Sequence, residues 1–77
     1  MKLVIVEWVD SAFMQGWMSK EHAKEHNYSR ITSVGILLKE TKDYITIVQS
    51  VSDKGDAGDD LTIPRCALER IRILRVK

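Results

Sequence analysis

The strongest constraint on the fold lies in residues 31–51, where two strand-like runs flank a short polar segment. Ile31–Lys39 and Tyr44–Val51 are rich in β-branched and long aliphatic side chains, which favour strands. The four residues between them, Glu40–Asp43, are polar and few enough for a hairpin turn. The pattern predicts two adjacent antiparallel strands.

Within this hairpin, the two runs differ in how their apolar residues alternate. In the second run Ile45 and Ile47 share one face and Thr46 lies on the other, which is typical of a half-buried strand. The first run has apolar residues on both faces, which suits a strand that bends and is covered on both sides. Gly35 is the expected bend, because a strand-interior glycine typically marks a bulge, a barrel corner or close backbone approach.

Three further segments complete the predicted strands. Leu3–Val9 is an apolar run that we expect inside the sheet, and Leu61–Ile63 and Ile71–Val76 are shorter strands. Pro64 stops the fourth strand by removing a donor, and Arg65–Leu68 then fits one tight helical turn.

The segment from Asp10 to Arg30 does not have a strand pattern. Ser19 can cap a short helix over Lys20–His26, and Asn27 can close that helix in a left-handed conformation. A helix of about two turns needs tertiary packing to be stable. The apolar groups available for that packing are Phe13, Met14, Trp17, Met18 and Ala23.

Together these elements predict a mainly β fold. A small five-stranded closed barrel, with a short helix inserted after the first strand and a one-turn helix before the last, leaves no strand edge exposed. The chain has 77 residues, of which 44% are hydrophobic and 30% charged, so residues 1–77 are expected to form a single domain.

Charge and cysteine content narrow the functional classes. A net charge of +1 argues against a general polyanion binder, although a local basic patch is possible. The lone cysteine, Cys66, excludes an internal disulfide and favours a reducing cytoplasm; we expect its thiol to be buried. The apolar run before Glu7 is too short for a signal peptide, and no stretch approaches the roughly 20 apolar residues of a membrane span.

Two polar clusters resemble metal sites without meeting their requirements. His22 and His26 match H-x-x-E-H, the inverted zinc-protease motif, in which both imidazoles share one helical face. A zinc enzyme also needs a third protein ligand and a substrate cleft, for which a 77-residue barrel has little room. The aspartates of residues 53–60 lack the spacing of an EF-hand and indicate a long exposed turn. We therefore expect no catalytic residue and no cofactor, with metal binding at the histidines as a weaker alternative.

The candidate binding residues fall into two groups. The first group consists of four aromatic residues, three of which lie in or beside the irregular segment. They either fill the core beneath that segment, which we favour, or anchor a partner. They are Trp8, Phe13, Trp17 and Tyr28. The second group is the C-terminal arginine ridge, a basic stretch in which Glu69 is the one acidic residue. This ridge could bind phosphates or the acidic loop of a neighbouring subunit. It comprises Arg70, Arg72 and Arg75.

In the last strand we expect Ile71 and Ile73 to point inward. Leu74 and Arg75 then break the alternation, which predicts a bulge or a partner-covered edge at that point.

The chain also resembles a group of small uncharacterised phage and prophage proteins with the pattern V-x-W-x-D-S, G-W, S-V-G, E-T-x-D-Y, I-P and I-x-x-L. The matching elements are Val6, Trp8, Asp10, Ser11, Gly16, Trp17, Ser33, Val34, Gly35, Glu40, Thr41, Asp43, Tyr44, Ile63, Pro64 and Ile71–Leu74. The resemblance implies a phage-type origin. More loosely, the strand arrangement is similar to Src-homology-3-like and Sm-like barrels, although the Sm family begins with a helix and its nucleotide-binding motif is missing here.

These observations predict a non-enzymatic binding module. We expect a phage or prophage accessory protein that engages a host or phage protein and self-associates through its C-terminal strand. The alternative is an Sm-like oligomer that binds an oligonucleotide or nucleotide through the C-terminal arginine ridge. Against that alternative, the outward arginines have no neighbouring aromatic side chain on which a base could stack.

Overall fold

The computed structural model describes residues 1–11, 16–25 and 27–75. Within these residues, five strands, a short α-helix and a one-turn 3-10 helix follow one another, as predicted for a mainly β fold. They are β1 (Lys2–Asp10), α1 (Lys20–Lys24), β2 (Ser29–Glu40), β3 (Tyr44–Val51), β4 (Ala57–Pro64), the 3-10 helix (Arg65–Ala67) and β5 (Leu68–Leu74).

The strands form one antiparallel sheet in the order β4-β3-β2-β1-β5. The prediction that the first strand lies inside the sheet is confirmed, since β1 pairs with β2 on one side and β5 on the other. Among the described residues β4 and β5 pair with one neighbour each and not with one another. The sheet is therefore open, and the closed ladder expected of a barrel is not observed.

The core lies on one face of this sheet and draws on strands that are not neighbours. Val4 and Val6 of β1 are fully buried together with Ile45 and Ile47 of β3 and Ile63 of β4. Because β2 separates β1 from β3, this shared cluster requires the sheet to curl around its apolar face. Six partly buried side chains pack against the cluster: Trp8, Leu37, Leu61, Ala67, Leu68 and Ile71.

Gly35 lies where β2 passes from one partner strand to the other. A Cβ at this position would come within 3.0 Å of the Val48 carbonyl oxygen and 3.2 Å of the Ile47 Cβ, so the glycine permits close backbone approach. The bulge itself lies two to three residues later, because the register with β3 shifts between Leu37 and Lys39. Of the features that a glycine inside a strand typically marks, close backbone approach is therefore the one observed at Gly35, and the bulge lies elsewhere.

The expectation that this strand is covered on both sides is also wrong. Val34 and Leu38 expose 44% and 54% of their surface, respectively. The face of β2 opposite the core is thus open to solvent.

Thr41 organises the turn between β2 and β3. Its hydroxyl accepts hydrogen bonds from the backbone N–H groups of Asp43 (3.1 Å) and Tyr44 (3.0 Å), and its own N–H donates to the Tyr44 carbonyl at 2.9 Å. A threonine hydroxyl that satisfies two turn amides stabilises the reversal. The predicted hairpin is confirmed, and β3 has the predicted bounds.

The turn between β3 and β4 is shorter than expected. The Ser52 hydroxyl accepts from the backbone N–H groups of Lys54 (3.2 Å) and Asp56 (3.1 Å), and Gly55 supplies the positive φ of +90°. β4 already begins at Ala57, so two of the aspartates assigned to a long loop lie in a strand. Pairing with β3 outweighs the weak strand preference of glycine and aspartate.

β5 also begins earlier than expected, and its irregularity is displaced. The register with β1 shifts between Glu7 and Trp8, which places the extra residue at Glu69 and not at the predicted Leu74–Arg75. Ile71 packs against the core as expected, whereas Ile73 exposes 52% of its surface.

The inserted helix follows the predicted cap but not the predicted end. The Ser19 hydroxyl accepts from the backbone N–H of His22 at 3.1 Å, which confirms the N-cap. The helix ends at Lys24 with Glu25 as C-cap at a φ of −80°, so it closes before the predicted Asn27. None of its side chains is buried, and His26 lies outside the described residues.

Candidate interaction surfaces

The described part of the chain contains no cavity able to enclose a small ligand. Candidate functional residues must therefore be assessed on exposed surfaces. Three surfaces stand out: the segment between β1 and β2, the C-terminal arginine ridge and the outer face of the sheet.

The first surface is the inserted arm, residues 11–28, which leaves the sheet where Asp10 and Ser29 face each other as the last pair of the β1–β2 ladder. Trp17 is fully exposed on this arm, and Met18 is half-buried. The radius of gyration is 16.1 Å and the longest axis 52 Å. A compact chain of this length has a radius of about 11–12 Å. The molecule is therefore elongated.

The aromatic candidates do not form one cluster among the described residues. Trp8 packs against the core, and its indole N–H donates to the Ser33 hydroxyl at 3.1 Å. Trp17 and Tyr28 are exposed, and Phe13 lies outside the described residues. The expectation that these rings fill the core is confirmed for Trp8 and wrong for Trp17 and Tyr28.

Tyr28 belongs to a polar group at the base of the inserted arm. Hydrogen bonding with the Tyr28 hydroxyl, and secondarily the Glu69 carboxylate, raises the pKa of the Arg30 guanidinium above its usual value. The Arg30 Nε lies 3.8 Å from the Glu69 Oε1. This group joins the arm end of β2 to the start of β5, although its exposure to water limits what the ion pair contributes.

The histidine pair falls partly outside the described residues. His22 is exposed, with its Nδ1 3.8 Å from the Glu25 Oε2, and His26 is not described. Within residues 1–11, 16–25 and 27–75 no three side chains of the metal-ligating types come together.

The C-terminal arginine ridge is less uniformly basic than its sequence implies, because one of its arginines is paired with a carboxylate. The Arg72 Nη2 lies 3.1 Å from the Glu7 Oε1, across the β1–β5 ladder, so Glu7 opposes the ridge in addition to Glu69. Arg70 and Arg75 are exposed, and no described residue forms an ion pair with either. These two guanidinium groups are the ones available for an external anion.

Arg65, beside the ridge in sequence, has a structural role. Its Nε donates to the Thr41 carbonyl at 3.0 Å, its Nη2 lies 3.1 Å from the Glu40 Oε2, and its backbone N–H donates to the Asp43 carbonyl at 2.8 Å. These contacts fasten the 3-10 helix to the β2–β3 turn. The neighbouring thiol of Cys66 is exposed, contrary to the expected burial.

The acidic residues of the segment 53–60 lie toward the opposite side of the sheet from the ridge. Asp59 and Asp60 are exposed on the edge strand β4, whereas Arg70 and Arg72 are on the other edge strand, β5. Asp59 adopts a φ of +56°, a left-handed conformation that aspartate tolerates better than most residues. The two edges of the sheet therefore carry opposite charge.

The third surface was not singled out in the sequence. On β1, Leu3 and Ile5 alternate with the core residues and so point to the outer face, where the cross-strand register adds residues of β2 and β5. We call this set the outer apolar patch: Leu3, Ile5, Val34, Ile36 and Leu74. Apolar residues on both faces of Leu3–Val9 were the available signal, but we interpreted them as burial inside the sheet.

Among the described residues, no helix has the length and apolar character needed to cross a membrane. Comparison of the chain with protein-family models, curated proteins and solved structures found no match.

Proposed function

We propose that the protein is a non-enzymatic binding module, a phage or prophage accessory protein that engages a host or phage protein in the bacterial cytoplasm and also self-associates. The observation that carries the proposal is the full exposure of Trp17 on the inserted arm. Large aromatic side chains are the residues that protein interfaces most often use as anchors.

The arm has a second property that supports partner binding. Its helix spans five residues and buries none of them. A helix this short is not stable in water without packing partners. Contact with a partner would supply the packing that the sheet does not provide.

We also infer that the domain is of the small-barrel type, similar to Src-homology-3-like and Sm-like barrels. The strand order β4-β3-β2-β1-β5 brings the last strand back beside the first, and a 3-10 turn links the two edge strands. The burial of side chains from non-adjacent strands in one cluster supports this class. In such a fold the hairpin loops extend from a stable frame and are free to bind.

A capture experiment from bacterial lysate tests the proposal. Wild type, Trp17→Ala and Leu38→Ala are immobilised at equal density, each with and without nuclease treatment of the lysate. Leu38 is the matched control, because it is an exposed apolar residue outside the arm. We expect a protein partner that survives nuclease and binds Leu38→Ala, but binds Trp17→Ala at least about tenfold more weakly. Equal binding to both variants contradicts a role for the arm.

The second candidate function is oligonucleotide or nucleotide binding. It is favoured by Arg70 and Arg75, which are exposed and form no ion pair with any described residue. In the same experiment, with Arg70→Ala added as a further immobilised variant, this alternative predicts the opposite result: the captured material is lost on nuclease treatment, is insensitive to Trp17→Ala and is reduced by Arg70→Ala. Such binding would also weaken steeply with salt.

A further inference from the structure

The strand β5 has one edge without a partner. It ends the sheet order β4-β3-β2-β1-β5, and among the described residues it pairs only with β1. After the register shift at Glu69, residues 70–74 pair with residues 3–7 of β1 without interruption. The backbone groups on the far side of this regular segment therefore take part in no ladder, and such groups are a template for a further strand.

The exposure of Ile73 indicates that a neighbour is missing on this side. Ile73 lies on the core face, because it pairs with Val4, which is fully buried. Ile73 nevertheless exposes 52% of its surface, whereas Ile71, nearer the 3-10 helix, packs against the core. A side chain on the apolar face of a sheet is normally covered by the strands on both sides of it. A strand added beside β5 would cover Ile73.

The charges along β5 determine which segment fits this edge. Arg70 begins the regular segment and Arg75 follows it; both are exposed and form no ion pair within the described part of the chain. Arg72, between them, is already paired with Glu7. An extended segment that has an acidic residue near each end and apolar residues between them matches the two free guanidinium groups and the exposed Ile73.

The edge of β4 is less suited to receive such a segment. Asp59 has a left-handed φ of +56°, and Pro64 closes the strand without a backbone donor, so the ladder on this side is interrupted. Asp59 and Asp60 would also repel an acidic segment. The edge strands of a second copy fit β5 no better, because its β5 carries the same arginines and its β4 has the same interruptions.

We propose that the free edge of β5 binds an extended segment of another protein as an added strand, and that this segment is apolar with an acidic residue near each end. In this mode of recognition, main-chain hydrogen bonds provide affinity and alternate side chains provide specificity. One apolar side chain covers Ile73, and the carboxylates face Arg70 and Arg75. The inference goes beyond the proposed function, because it adds a site that does not involve Trp17.

A synthetic peptide tests strand addition. The peptide is acetylated, amidated and about seven residues long, with a glutamate near each end and valine alternating with threonine between them. The control is the same peptide with its inner amides N-methylated, which removes the backbone donors and keeps every side chain. We expect calorimetry on the full chain to show binding that N-methylation weakens at least about tenfold. Amide exchange of residues 70–74 should slow on binding, and that of β4 should not.

Charge reversal tests the preference for acidic residues. Arg70→Glu should weaken binding of the peptide at least about tenfold, because a glutamate of the peptide then faces a like charge. Lys42→Glu is the matched control, since Lys42 is an exposed cation of the β2–β3 turn and its reversal changes the net charge equally. We expect this control to bind as wild type does.

Truncation of Ile73 tests the apolar contact. Ile73→Ala should weaken binding roughly fivefold, because half an isoleucine side chain is no longer covered by the peptide. Leu38→Ala is the matched control, since Leu38 exposes 54% of its surface on β2. Circular dichroism confirms that each variant is folded.

The outcomes separate this inference from the proposed function. No binding at millimolar peptide, or binding that is insensitive to N-methylation or to Arg70→Glu, overturns the inference and leaves capture through Trp17 unaffected. Binding lost in Trp17→Ala places the peptide on the inserted arm and also overturns it. A wild type that sediments as a dimer and becomes monomeric in Arg70→Glu shows that a second copy occupies the edge, which overturns the choice of occupant.

Discussion

At the scale of single residues, Gly35 is the glycine at which the structure leaves least room for a side chain. The nearest atoms to a Cβ are a backbone oxygen of Val48 and core atoms of Ile47, and neither group can swing away. We therefore expect Gly35→Ala to lower the free energy of unfolding by about 1–3 kcal/mol, and Gly35→Val to lower it further. Overpacking is the cause, since no unusual φ is required there.

Gly58→Ala is the control for this prediction. No atom lies within 4 Å of a Cβ at that position on β4, so its stability should stay within about 0.5 kcal/mol of wild type. Urea unfolding followed by tryptophan fluorescence measures both variants. Equal midpoints for Gly35→Ala and Gly58→Ala would show that β2 and β3 can separate at no cost.

At the scale of elements, the contacts of Arg65 hold the 3-10 helix against the β2–β3 turn. Arg65→Ala removes the donors to Thr41 and Glu40 but leaves the backbone bond to Asp43. We expect the free energy of unfolding to fall by about 1–2 kcal/mol, mainly through the lost bond to the half-buried Thr41 carbonyl.

Two further variants separate the contribution of the ion pair with Glu40 from the other contributions of Arg65 to stability. Glu40→Gln removes only an ion pair whose partners are both well exposed to water, so it should cost less than about 1 kcal/mol. Arg70→Ala, an exposed arginine on β5, should be nearly neutral. Thermal unfolding measures all three variants. If Arg70→Ala lowers the melting temperature as much as Arg65→Ala does, the contacts of Arg65 do not specifically hold the 3-10 helix against the β2–β3 turn.

The same elements show which parts of the fold the sequence could predict. Tyr44–Val51 is recognisable because its β-branched residues alternate and its turn residues are polar, and local chemistry agrees with tertiary pairing there. The start of β4 is not recognisable, because Gly58 and Asp59 favour turns and adopt a strand only through the ladder with β3. The bulge at Glu69 depends on β1, which lies some 60 residues away in the chain.

The candidate surfaces were predictable to a different degree. Ser19 caps its helix through a local bond, so sequence was sufficient there. Whether Trp8 and Trp17 lie in the core or in solvent depends on where the arm leaves the sheet, which no local pattern encodes. The pairing of Arg72 with Glu7 likewise exists only once β5 lies beside β1.

At the scale of the whole molecule, the inserted arm and the sheet should be separable. Asp10 and Ser29 are direct partners, so a two-residue Asn-Gly turn can join them in place of residues 11–28. We expect this shortened chain to fold with a melting temperature within a few degrees of wild type, because α1 buries no side chain in the sheet. It should also lose the partner captured through Trp17.

A control chain replaces the arm with a Gly-Ser segment of equal length, which separates loop length from the identity of the arm residues. Circular dichroism and thermal melts provide the readout. A shortened chain that fails to fold, while the Gly-Ser chain folds, would mean that the strands need the longer connection. Failure of both would mean that arm residues stabilise the sheet.

The position of β1 has a consequence for how the chain acquires its structure during synthesis. Leu3 pairs with Leu74, so β1, which is synthesised before the other strands of this sheet, completes its ladder only with β5, the last of them. Contacts between such distant residues slow folding, since a long loop must close first. The β2–β3–β4 meander can form earlier from local contacts, while one side of β1 stays unpaired. Loss of β5 would therefore leave β1 with an unpaired edge beside the rest of the sheet, the kind of species that chaperones and proteases remove.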